Sequence, residues 1–341
     1  MTKTLKTCFI FSISAVWLVL MRMLFSAVSL GDYLIDWLFS FSVQVIGMGV
    51  VPFVLYRFWV KEDPWQGFCL KRRLPLVVYL LTIVVGLVFN FLLTSVSAVW
   101  QTVLQLIGYT QTNSAGTVYP ARNALGVLIM ELLTTAVLPG IFEEITYRGL
   151  GMQMLSGVED ERWKIILIGL LFGFGHQFIG QTGYAFVAGM IFAYLIIKTR
   201  SIIPGMIIHF MNNAISVIND YSAQKTGAVS SFRDSILSVF FNNVFFLLLF
   251  IAGLIVLIVV LLRLIKILSR TEEEVVPDAS AEEYYYPNKK QYVDDIFGDL
   301  EAVREPIRTK TVRGYEYAPL YGASVIMLLT TLFSFIWGMG R

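Results

Sequence analysis

Two adjacent carboxylates, Glu143 and Glu144, lie inside a hydrophobic run from about Asn123 to Leu155. The chain's two histidines, His176 and His209, each fall in one of the next apolar stretches. A charge at bilayer depth costs about 3 kcal/mol or more unless it is paired or faces a wet cavity. Carboxylates and imidazoles are also the groups that move protons near neutral pH, so these four residues predict an intramembrane acid–base site. Glu144 and Arg148 stand at i and i+4 with the acid toward the helix N-terminus, the favourable order for a pair. That leaves Glu143, about 100° around the helix, free to point elsewhere. His209 and Asn213 are likewise four apart, so one helical face presents an imidazole and an amide.

Helical hairpins must bring these residues together. Glu143 and His176 flank a turn near residues 159–160 at about 16 residues each, and a rise of about 1.5 Å per residue sets them at matching depth. Gly169, Gly173 and Gly175, around Phe172, remove side-chain bulk and allow neighbouring helices to approach His176. Pro139-Gly140, just upstream of the carboxylates, weakens the helix and is expected to open a wet pocket. His209 lies only some nine residues from the turn at 198–201 and is expected to sit shallower. A late helix start at Pro204-Gly205, or the shape of the cavity, must make up the difference.

The chain as a whole supports a membrane setting. Its 341 residues are 57% hydrophobic and only 15% charged, with a mean hydropathy of +0.71, and this predicts an all-α, polytopic transmembrane helical bundle. About nine spans can be placed, at 9–29, 34–56, 76–98, 123–155, 163–180, 184–198, 202–219, 236–262 and 320–338. The runs from Leu76 to Gly108 and from Asn123 exceed what a bilayer needs, and strong tilt or an interfacial turn is expected to absorb the surplus. Basic clusters alternate with the spans: Lys3 and Lys6; Arg57, Lys61, Lys71, Arg72 and Arg73; Arg162 and Lys164; Lys198 and Arg200; Arg263, Lys266 and Arg270. The positive-inside rule then puts the N-terminus in the cytosol and, with nine spans, the C-terminus outside. The basic start followed by an apolar run is read as an uncleaved first span, since the run is long and carries Arg22.

The expected organisation is a transmembrane scaffold over 1–122, a catalytic core of four helices over 123–220, an eighth span in 221–270, a charged and tyrosine-rich cytosolic insertion over 271–319, and a last span in 320–341. The insertion, with Glu272 to Glu274 and Tyr284 to Tyr286, reads as a solvated linker or as the docking segment for a cytosolic partner. Cys8 and Cys69 are expected to be free structural thiols. There is no Walker loop or nucleotide fingerprint, so ATP-driven transport has no support and no nucleic-acid partner is expected. Glu131 is expected to make an interhelical hydrogen bond, and Arg22 to pair with Asp36.

Glu143-Glu144-x-x-x-Arg148, Phe172-x-x-x-His176 and His209-x-x-x-Asn213, in that order on successive helices, resemble the three signature motifs of the CAAX-protease and bacteriocin-processing (CPBP, or Abi) family, which includes the type II CAAX prenyl endopeptidases. The resemblance covers about residues 123–220. It implies intramembrane proteolysis from a cavity open to the cytosol, acting on a membrane-embedded or lipidated peptide substrate. On that analogy Glu143, with His176, activates the attacking water, His209 and Asn213 stabilise the oxyanion, and Arg148 holds Glu144 and the helix in place. Phe172 would give structural support.

Glu143, His176 and His209 could also hold Zn²⁺ with one open position, and a metal-free glutamate mechanism fits the same residues. Other readings are a non-proteolytic membrane scaffold or regulator acting through its insertion, an ion transporter, and a b-type haem protein with histidine ligands. The adjacent carboxylates speak against haem.

Overall fold

The computed structural model describes residues 1–28, 33–110, 119, 123–226, 243–269 and 312–339. Among these residues every regular element is a helix. The long elements are α1 (Lys3–Val28), α2 (Leu34–Val60), α4 (Leu76–Leu106), α5 (Ala124–Met154), α6 (Glu161–Gly175), α7 (Ile179–Thr199), α8 (Ile203–Thr226), α9 (Val244–Leu268) and α10 (Ala318–Met339). A short helix, α3 (Pro64–Gly67), is capped by the Asp63 side chain, which accepts from the Trp65 N–H. The insertion expected at 271–319 lies outside the described residues up to 311, and a 3₁₀ turn at Gly314–Tyr317 leads into α10 earlier than residue 320.

Seven of these helices are long and apolar enough to cross a bilayer, against the nine expected. The two that fall short carry site residues. α6 has 15 residues and stops at the Gly173-Phe174-Gly175 sequence, with His176 as its C-cap. α8 is long but carries His209, Asn212, Asn213, Asn219 and Asp220. The surplus in the third span is taken by one unbroken 31-residue helix, α4, about 46 Å long. That of the fourth stays helical as well, with two wider π-helical stretches, Leu132–Val137 and Ile145–Leu150. α2 contains a π stretch too, at Ser42–Val50. Such turns are uncommon and concentrate at functional sites.

Glycine brings two of the helices into main-chain contact. A Cβ on Gly189 of α7 would stand 2.8 Å from the Gly169 backbone of α6, so these two helices touch main chain to main chain. One cluster of buried side chains, including Phe11, Phe89, Tyr147, Leu150, Ile168, Phe172 and Phe192, runs through the bundle. The basic segments gather at one end. Lys198 pairs with Glu161, Arg72 donates to the Ser269 carbonyl (3.1 Å), Ser201 Oγ donates to the Arg72 carbonyl (3.3 Å), and Lys3 pairs with Glu62 (2.8 Å).

Candidate active site in the bundle interior

The depth of each site residue is set by the 64–70 segment at the basic end. Phe68, fully buried, fills the space a side chain at Gly149 would need, its Cβ lying 2.8 Å from where Gly149's would be. The next residue fixes α8, because the Ile202 N–H donates to the Cys69 carbonyl (3.2 Å). Residue 149 and the start of α8 therefore share a level. From there Glu144 lies about 7.5 Å up α5 and His209 about 9 Å up α8 at 1.5 Å per residue. The expected depth mismatch of His209 disappears for this reason, and helix α8 begins at Ile203 without waiting for Pro204-Gly205. Lateral approach comes from Gly140, where a Cβ would stand 3.1 Å from the Phe210 backbone nitrogen. Pro139 is tolerated because it sits at the start of the α-helical segment Leu138–Glu144 that follows a π stretch.

Glu144, Arg148 and His209 form a sealed group. Arg148 Nη1 contacts Glu144 Oε1 at 3.0 Å, with both side chains fully buried, and His209 Nδ1 lies 2.8 Å from the same oxygen. The guanidinium also lies over the Phe172 ring at 4.0 Å and the Phe192 ring at 4.9 Å, faces that attract a cation. Its Nε and Nη2, and Glu144 Oε2, have no hydrogen-bond partner among the described residues. Glu144 Oε2 instead faces Gly205 in the first turn of α8, where the helix dipole favours negative charge. An ionised Glu144 can only accept, so His209 Nδ1 carries the proton and donates. Phe192 stacks on the imidazole at 5.5 Å and Phe172 meets it edge-on at 5.7 Å.

These contacts turn His209 Nε2 toward Glu143, 3.8 Å from Oε2. Glu143 Oε1 accepts a 2.7 Å hydrogen bond from Gln44 Nε2 on α2. His176 Nδ1 lies 2.8 Å from the Phe172 carbonyl, which can only accept, so Nδ1 donates and Nε2 keeps its lone pair. Glu143 and His209 are both within electrostatic range of His176. Phe172 is the hub of the packing, with its ring against His176 (4.9 Å) and Tyr147 (5.1 Å) as well as Arg148 and His209. Arg22 donates to the His176 carbonyl, capping the C-terminal end of α6 with a cation.

Asn213 occupies a different position from the rest. Its Nδ2 donates to the Thr135 carbonyl (2.9 Å), and its Oδ1 accepts from Asn212 Nδ2 (3.2 Å). Asn212 Oδ1 in turn accepts from Asn90 Nδ2 on α4 (3.1 Å). The three amides run in one direction, which fixes the orientation of each and leaves one Asn213 N–H unused. Glu131 makes the interhelical bond expected of it, accepting from Trp37 Nε1 (3.3 Å).

The structure thus joins Glu143, Glu144, Arg148, Phe172, His176 and His209 in one place, with Asn213 tied to Thr135 beside them. Sequence reasoning did not single out Gln44, Phe192, Asn90 or Asn212. The signal for the amides was their presence within apolar spans; Phe192 had none.

Residues 125–215 match the family described as Rce1-like, type II CAAX prenyl endopeptidase Rce1-like. Every catalytic candidate from Glu143 to Asn213 lies inside that stretch. The segment is similar to the CAAX-protease family. No curated protein and no solved structure matches the chain.

Whether the candidate site as it stands suits a metal follows from its donors. His176 and His209 each give Nδ1 to an acceptor and keep Nε2, the arrangement that orients metal-binding imidazoles elsewhere. Yet among the described residues no three His, Cys, Asp or Glu side chains are arranged to hold a metal ion.

Proposed function

We propose that this protein is an intramembrane endopeptidase that hydrolyses a peptide bond in a membrane-embedded or lipidated peptide, using residues 123–220 as its catalytic core and the flanking helices as scaffold. One observation carries the reading: Glu143 is held by Gln44 at one oxygen while its other oxygen faces an imidazole that a sealed Glu144–Arg148 pair orients. The similarity of residues 125–215 to that family supports the same reaction class.

Glu143 is the general base. It takes a proton from water as the water oxygen bonds to the scissile carbonyl carbon, and His176, through its free Nε2, shares in orienting that water. The carbonyl oxygen becomes an oxyanion. His209 Nε2, when that nitrogen is protonated, and the unused Asn213 N–H are the donors assigned to it. Collapse breaks the C–N bond, and the leaving amine takes the proton from Glu143. Glu144 acts through His209 and is a positioning residue, as is Arg148. The basic end of the bundle is the cytosolic face, which puts the C-terminus outside. The apolar outer surface suits a substrate held by a lipid or a span.

The test is cleavage of fluorogenic, membrane-anchored peptides, lipidated and unlipidated, in proteoliposomes. Wild type is expected to cleave, and Glu143→Gln to lose at least about 100-fold while remaining folded. Equal activity in the two proteins, or no cleavage by well-folded wild type, sinks the reading and sends the search to residues 271–311.

A further inference from the structure

Gln44 is buried within the π-helical stretch Ser42–Val50 of α2, outside the segment that matches the CAAX-protease family. Its Nε2 makes a 2.7 Å hydrogen bond to Glu143 Oε1, while its own Oε1 is buried with no partner among the described residues. An unpaired buried acceptor destabilises the fold. A leucine or methionine would fill the same space without that cost, so packing does not explain an amide here. The reversed amide would set two oxygens against each other, so Nε2 is the end that faces an ionised Glu143.

We infer that Gln44 is a positioning residue for the reaction: it pins one oxygen of Glu143, so that the other stays aimed at His209 Nε2 and at the water between them. The inference rests on the endopeptidase reading above. Three neighbouring contacts make the pin effective. Gly49, on the same π stretch, packs against Phe142, with a Cβ there only 2.5 Å from the ring. Thr146 Oγ1 donates to the Met48 carbonyl (2.6 Å). The register of α2 against α5 is therefore set at residues 142 and 146, on either side of Glu143. The wider turn gives α2 the pitch that places residue 44 opposite 143 while 48 and 49 meet 146 and 142.

The experiment is a mutant cycle on membrane-anchored peptide cleavage, with Gln44→Leu measured in wild type and in Glu143→Asp. Aspartate keeps a carboxylate but withdraws it from Gln44. In wild type, Gln44→Leu is expected to lower kcat about 10- to 100-fold, the loss of one hydrogen bond to a charged group, with KM within about twofold. In the Glu143→Asp background the same substitution is expected to cost less than about threefold. Equal losses in both backgrounds, or a rise in KM with kcat unchanged, overturn the inference while leaving the endopeptidase reading intact. No cleavage by wild type overturns both. If Gln44→Leu does not purify as a folded species, Gln44→Met, which keeps the length without the donor, is read in the same cycle with the same expectations.

Discussion

Arg148→Met is the perturbation that most sharply separates the sealed pair from the chemistry. Both Arg148 and Glu144 are fully buried and 3.0 Å apart, so removing the cation leaves a carboxylate with only His209 and the first turn of α8 to oppose its charge. Breaking a buried pair on one side costs about 3–5 kcal/mol, and losing the guanidinium over Phe172 and Phe192 adds about 1–2 kcal/mol. Methionine fills most of the volume, so the cavity contribution is small. The net loss is about 4–7 kcal/mol, which lowers the unfolding midpoint by on the order of 10 °C. Glu144→Gln/Arg148→Met removes both charges and is expected to recover at least half of that loss, because the desolvation penalty disappears with the charges. Cleavage activity is expected to stay low in the double variant, since His209 has lost the carboxylate that orients Nδ1. Tryptophan-fluorescence melts in one detergent, with cleavage on the same samples, give both readouts. A double variant no more stable than Arg148→Met, or one with wild-type activity, would refute the reasoning.

Three further outcomes are expected. Gly140→Val should displace α8 by on the order of 1 Å, because a Cβ there meets the Phe210 backbone at 3.1 Å; a shift of that size costs about 100-fold in kcat/KM, and unchanged cleavage would contradict the close approach. Asn90→Leu should lower kcat about tenfold by freeing the amide relay to Asn213, while Asn90→Asp, which keeps the acceptor but no donor, should not rescue it. At the basic end, the hydrogen bond from Lys71 holds the Asp63 carboxyl below its usual range, opposed by burial and helped to a lesser extent by the Trp65 N–H. The cap on α3 is thus intact above the ordinary carboxylate value and is lost only as pH falls through the lower one, so limited proteolysis between Lys61 and Arg73 should stay flat from pH 7 to about pH 4. Lys71→Ala should bring the onset of cutting to higher pH.

What could be read from the chain alone was which residues to suspect, and what could not was the register. Glu143, Glu144, Arg148, His176 and His209 stand out because ionisable groups are rare within apolar spans and demand a reason. Phe172 was legible from its spacing to His176, although its place beneath both imidazoles and the guanidinium depends on how α6 meets α7 and α8. Gln44 and Asn90 carry no comparable signal, since an amide in a span commonly bonds to whichever helix is near. Which helix that is depends on the pairing of α2 with α5 and of α4 with α8. Periodicity does not give those pairings. The π stretches were hidden for a related reason: an apolar run reads the same at slightly different residues per turn. The depth of His209 depended on a tertiary contact, the 64–70 segment tucked under Gly149 and Ile202. Arg22, for which Asp36 was the expected partner, reaches the His176 carbonyl on α6, more than 150 residues away in the chain. The two helices that fall short as spans are α6, which ends after 15 residues, and α8, which carries His209 and several amides.

In the proposed mechanism Glu143 delivers water to a peptide bond inside this bundle. Cleavage of a membrane-anchored peptide in ¹⁸O-labelled water, with the products read by mass spectrometry, tests it most directly. One labelled oxygen in the new carboxylate with wild type, and no labelled product with folded Glu143→Gln, is the predicted result. Labelled product at equal rates from both proteins would contradict the account.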